Sequence, residues 1–156
     1  MSPINIEFAI ADDAWSAEHQ VVIKIAIAAA VKQLELPAVE LSILLTNDAE
    51  IKRLNQEFRG KNAATNVLSF PQAEHVPYQW QLTADAPLGD IALAHETIAA
   101  EAAQEGRLFA HHLSHLTIHG FLHILGFDHM NETDATIMEQ LEIALLHTLS
   151  IANPYV

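Results

Sequence analysis

Residues 115–130 read HLTIHGFLHILGFDHM, in which His119, His123 and His129 fall into the spacing H-x3-H-x5-H with Gly126 between the last two. No other stretch restricts the fold as much. Two histidines four apart project side by side from an α-helix, one turn above the other. A third cannot comfortably reach the same point from the next turn. Gly126 supplies the break, because a left-handed glycine there ends the helix and swings His129 in from another direction. With ten histidines in the chain, roughly one i, i+4 pair is expected by chance, so the signal is the whole constellation. Three neutral imidazoles leave a tetrahedral zinc one open position, the catalytic rather than the structural arrangement.

Composition narrows the alternatives. The chain has no cysteine, which excludes disulfides and thiolate metal sites and leaves histidine and carboxylate as the strong ligands. Its 156 residues fit one domain, 1–156, with a substantial core. The most apolar run, Val21 to Val31, carries Lys24 and is too short to span a bilayer, so it reads as a buried helix. No basic stretch precedes an apolar one at the N-terminus, so no signal peptide is expected and a cytoplasmic location is. A net charge of −13 weighs against nucleic-acid phosphates as partners. Yet four of the seven basic residues, Lys52, Arg53, Arg59 and Lys61, lie within ten positions. Such a cluster is more often a solvated helix face than a binding patch.

The pattern along the chain predicts strands at Ile4–Ile10 and Val39–Thr46, where apolar and polar residues alternate, and at Asn66–Phe70 and Leu88–Ala94. Helices are expected over about Ser16–Leu34, from the N-cap Asn47 through Phe58 with Glu50 completing a capping box, and over His95–Gln104, Leu108–Leu125 and Glu132–Leu149. Between the last two strands a proline-rich loop carries Tyr78 and Trp80, more plausible as packing than as a stacking platform. This order predicts an α+β fold, with helices packed over one small sheet and the metal site at the C-terminal helices.

The neighbours of the motif have their own readings. His115 lies about 12 Å along the helix axis from His123, so it is expected beside the ligands rather than among them. His111 and His112 read as polar helix-face residues. Asp128 could orient an imidazole or accept a proton, but a turn residue is an equal reading. The motif matches that of the zinc proteases written H-E-x-x-H-x-x-G-x-x-H except at the catalytic glutamate, where Gly120 stands. A carboxylate at that position is expected to sit beside the metal and repel a phosphate, so the glycine suits phosphodiester chemistry better than peptide cleavage.

The segments NQEFRGKNAATNVLSFP (Asn55 to Pro71), LGDI (Leu88 to Ile91) and HGFLHILGFDH (His119 to His129), in that order, closely resemble the YbeY family of bacterial endoribonucleases. The resemblance implies an α+β fold with a mixed sheet of about four strands surrounded by about five helices. It implies one zinc ion per chain on His119, His123 and His129, another divalent transition metal being possible. It also implies that Arg59 is the functional arginine, facing the metal across a cleft. Asn66 stands where many members have Asp. The activity implied is single-strand-specific, metal-dependent RNA cleavage in ribosomal RNA maturation at the 16S 3′ end and in small-subunit quality control. Single-stranded RNA and the small ribosomal subunit are the implied partners, with no membrane and no DNA. Activated water or an RNA hydroxyl would attack phosphorus while Arg59 steadies the developing charge. Two rival readings stay open: a peptidase or amidase using Asp128 or Asp90, and a ribosome-associated binding protein with a structural metal.

Overall fold

The computed structural model describes residues 4–71, 87–127 and 131–156. Strand β1 (Ile4–Ile10) is followed by α1 (Ala17–Gln33), β2 (Val39–Thr46), α2 (Asp48–Arg59), β3 (Val67–Pro71), β4 (Pro87–Ala94), α3 (His95–Glu105), α4 (Phe109–Ile124) and α5 (Glu132–Thr148). The strands form one mixed sheet in the order β1-β2-β4-β3. β1, β2 and β4 run parallel, and β3 pairs antiparallel to β4 at one edge. The expected α+β architecture is the one observed, with four strands and five helices among the described residues.

Alternation decides which face is covered. Val39, Leu41, Ile43 and Leu45 of β2, with Ile91 and Leu93 of β4, are buried in the main core with residues of α1, α4 and α5. The opposite parity, Ala92 and Ala94, joins Leu68 and Ile51 in a smaller cluster under α2. Helix α4 carries apolar residues around most of its circumference, and Leu113, Leu116, Ile118, Phe121, Leu122 and Ile124 are all buried. It therefore runs through the middle of the helical layer. Its first residue, Phe109, packs on Trp15, whose indole N–H donates to Thr46 O (2.8 Å) at the C-terminal end of β2.

The end of α4 takes the form its glycine demands. Gly126 has φ +102°, its N–H reaches His123 O (3.1 Å), and Phe127 N–H reaches Leu122 O (3.0 Å). These two bonds satisfy the last carbonyls and turn the chain.

Two local expectations need correction. Asn47 Oδ1 does accept from Glu50 N–H (2.9 Å), but Glu50 turns away from the reciprocal bond and accepts from Thr46 Oγ1 (2.7 Å) instead. Helix α1 is buried along one side only: Ile23, Ala26 and Ile27 are inaccessible, whereas Val21 and Ile25 remain half exposed. Phe58 extends the apolar face of α2 but stands 61% exposed, touching Phe70 edge-on.

Candidate metal centre

His119 and His123 lie one turn apart on α4 with ring centroids 4.6 Å apart and planes at 79°. Behind them, on α5, stands Glu142, a carboxylate with no exposed surface. Its Oε2 accepts from His119 Nδ1 (2.9 Å). Its Oε1 accepts from His115 Nε2 (2.7 Å) and from the Tyr155 hydroxyl (2.6 Å). Burial pushes the Glu142 carboxyl up, but the three donors outweigh it and hold the group at about 2. An ionised carboxylate can only accept, so the proton of His119 is on Nδ1. The basic nitrogen of that ring is Nε2, the atom that would ligate a metal. Burial first, and then the bond to Glu142, keep the Tyr155 phenol protonated far above its ordinary range. His119, Met138, Glu139, Glu142 and Tyr155 line a cleft of about 220 Å³.

Gly120 has a different explanation from the one its motif suggested. A Cβ built there would point into the sheet, 3.1 Å from Ser69 Oγ, 3.1 Å from Val67 Cγ2 and 3.4 Å from Ile91 Cγ2. It would not point into the cleft beside His119. Ser69 Oγ donates to Gly120 O (3.0 Å), fixing the helix closely against edge strand β3. The glycine is therefore a contact requirement between helix and sheet, and a glutamate has no place at this position whatever the substrate.

Arg59 comes from the last turn of α2, where Gly60 ends the helix in the left-handed region. Its guanidinium donates to Ser69 O (3.3 Å). Ser69 thus binds Arg59 through its carbonyl and Gly120 through its hydroxyl, so Arg59 and α4 hold the same residue. The loop after α2 is pinned by buried Asn55, whose Nδ2 donates to Ala63 O (2.9 Å). Arg53 is engaged on the exposed surface with Glu57 (2.9 Å) and Glu50 (3.9 Å), the solvated-face reading of its cluster. Asn66 donates to Glu101 Oε1 (3.0 Å) and accepts from Val67 N–H (2.7 Å).

Other sequence expectations divide. His115 stands beside His119 and shares Glu142 with it, a link through a carboxylate that the sequence did not reveal. His112 is a correction: it is buried and bonded through Nε2 to Glu101 (2.8 Å) rather than displayed on a polar face. Asp90 has the parity of Ala92 and faces the α2 side of the sheet, away from α4, which removes it as an acid or base at this centre. His129, Asp128, Tyr78 and Trp80 lie outside the described residues. Among the described residues no group of three or more histidine or carboxylate side chains is assembled to hold a metal. The residues that sequence reasoning missed are Glu142 and Tyr155. One signal existed: Glu142 is four residues after Met138 and four before Leu146, both buried, so it interrupts an apolar stripe.

Comparison with known proteins places these features in a group. The family described as "Endoribonuclease YbeY" has a sequence profile that matches residues 5–150. The protein named endoribonuclease YbeY of Chelativorans sp. is 44% identical over 156 residues, covering 97% of this chain and 93% of its own. Its namesake in Dinoroseobacter shibae is 47% identical over 164 residues, covering 97% and 90%. The solution structure of TM1509 from Thermotoga maritima superposes with a TM-score of 0.61 at 22% identity, over 92% of this chain and 87% of that one, which supports the fold.

Proposed function

The chain belongs to the YbeY endoribonuclease family, and from that premise we propose that it is a zinc-dependent endoribonuclease of single-stranded RNA, acting in 16S ribosomal RNA maturation and small-subunit quality control in the cytoplasm. The observation that carries the reading is the buried Glu142 carboxylate on His119 Nδ1. A carboxylate-oriented imidazole is the usual partner arrangement behind a metal ligand. It leaves Nε2 of His119 for a metal on the helix face it shares with His123, so these two residues fit a shared ion, with His129 proposed as the third ligand from its spacing in the motif. A zinc ion held there supplies Lewis acidity toward a phosphate oxygen and an attacking water.

The chain's own groups do the rest. Glu142 holds the tautomer and angle of His119. Arg59 offers a planar fork of donors to a phosphodiester as negative charge develops on its non-bridging oxygens. Lys61, exposed beyond the C-cap of α2, guides the backbone by charge. Of the two acids on which the peptidase alternative relied, Asp90 faces the α2 side of the sheet, which leaves it Asp128.

The test is cleavage of end-labelled single-stranded RNA by metal-analysed protein, run beside His123→Ala and Arg59→Glu. About one metal per chain with cleavage by the wild type alone is the expected result, with metal retained in Arg59→Glu. Equal cleavage by all three would refute the proposal. Metal binding without any cleavage, with stable association to the small subunit, would instead favour a binding protein with a structural metal.

A further inference from the structure

Tyr155 lies beyond the stretch matched by the family profile, yet its hydroxyl ends at the carboxylate behind His119. The chain from α5 to this residue is fastened at several points. Ile151 N–H donates to Leu146 O (2.9 Å), the Arg107 guanidinium donates to Pro154 O, and Asn153 Oδ1 accepts from Tyr155 N–H (2.8 Å). The phenol ring meets His115 edge-on, with centroids 5.5 Å apart, and forms one wall of the cleft beside His119. Its O–H then donates to Glu142 Oε1 at 2.6 Å, beside the bond from His115 to the same oxygen.

The division of labour on Glu142 gives this contact its meaning. Oε2 serves His119, while Oε1 takes both other donors. A carboxylate pivots about its last side-chain bond, so the direction of Oε2 is set by what holds Oε1. From this geometry we infer that Tyr155 is a positioning residue for the metal ligand His119, acting through Glu142. The inference rests on the metal-site reading above for its function, though not for its geometry. With the hydroxyl removed, His115 alone fixes Oε1, and the imidazole must be ordered by the metal at the expense of affinity.

The informative variant is Tyr155→Phe, which keeps the ring against His115 and deletes only the donor. Two measurements on the full chain decide the matter. In metal-free protein, NMR exchange of the His119 Nδ1 proton with water should be slow in the wild type and faster in Tyr155→Phe. With zinc, competition against a chromophoric chelator should show affinity lowered by about 3–10-fold, less than the 10–100-fold typical when a ligand's direct partner is removed. Arg107→Ala, which frees Pro154 O, should move both readings the same way. A purely structural tail would lower the melting temperature of Tyr155→Phe while leaving the His119 proton and the zinc affinity unchanged, and that result would overturn the inference. If the wild type binds no zinc, the metal-site reading falls, and the proton-exchange comparison alone decides whether Tyr155 positions His119.

Discussion

Gly120→Ala adds one methyl group where helix and sheet nearly touch, and the structure fixes the sign of its effect. On helix propensity alone the change is favourable by about 1 kcal/mol. Against that, the new Cβ stands 3.1 Å from both Ser69 Oγ and Val67 Cγ2. Neither neighbour yields cheaply. Ser69 can rotate away only by giving up its bond to Gly120 O, a loss of about 1 kcal/mol, and the β-branched Val67 is stiff at χ1. The propensity gain and the lost hydrogen bond offset each other, and overpacking of this kind costs about 1–3 kcal/mol, so a net destabilisation of about 1–3 kcal/mol is expected. Urea unfolding in the presence of chelator measures it without metal linkage. The same substitution in a Ser69→Ala background should cost less by about 1 kcal/mol, since the obstructing hydroxyl is gone. A Gly120→Ala protein as stable as the wild type would refute the close-contact reasoning.

Four further variants test the same geometry. Gly120→Glu, which restores the protease motif, should lose more than about 3 kcal/mol because a carboxylate would be buried without a partner, and it should cleave no peptides. Glu142→Gln should weaken zinc binding about 10–100-fold by chelator competition. The Glu142 carboxyl is depressed from 4.5 to about 2, so its contribution, on the order of 3 kcal/mol, is present above pH 4.5 and lost as pH falls through 2; chemical denaturation of metal-free wild type and Glu142→Gln should show the gap closing over that window. Asn66→Asp sets two carboxylates against each other at Glu101 and should cost about 1–2 kcal/mol, restored by Glu101→Gln. Arg53→Ala, at an exposed pair, should change unfolding free energy by less than about 0.5 kcal/mol.

Much of this was legible before the fold was known. Alternation marked β1 and β2 to the residue, Asn47 marked the start of α2 by its spacing to Glu50, and Gly126 announced the turn after α4. These signals are local, carried by residues within a few positions of one another. The missing parts are long-range. Glu142 meets His119 and His115 from 23 and 27 positions away, so its charge reads as a solvated helix face until α5 is laid beside α4. Gly120 invites comparison with a neighbouring ligand, but its reason lies 51 residues upstream in Ser69. His112 reads as surface because Glu101 is on a different helix.

The placement of Ser69 has a consequence for how activity would fail on heating. β3 is five residues long and borders the sheet, with β4 as its strand neighbour. Short edge elements open locally at a fraction of the free energy of global unfolding. Opening β3 would release the carbonyl that holds Arg59 and the hydroxyl that holds α4 in one event, while the main core of α1, α4 and α5 stays folded. Catalysis would then vanish at a temperature where far-ultraviolet circular dichroism is still native, and the amide of Leu68, which the register turns toward β4, would lose its protection from solvent in the same event.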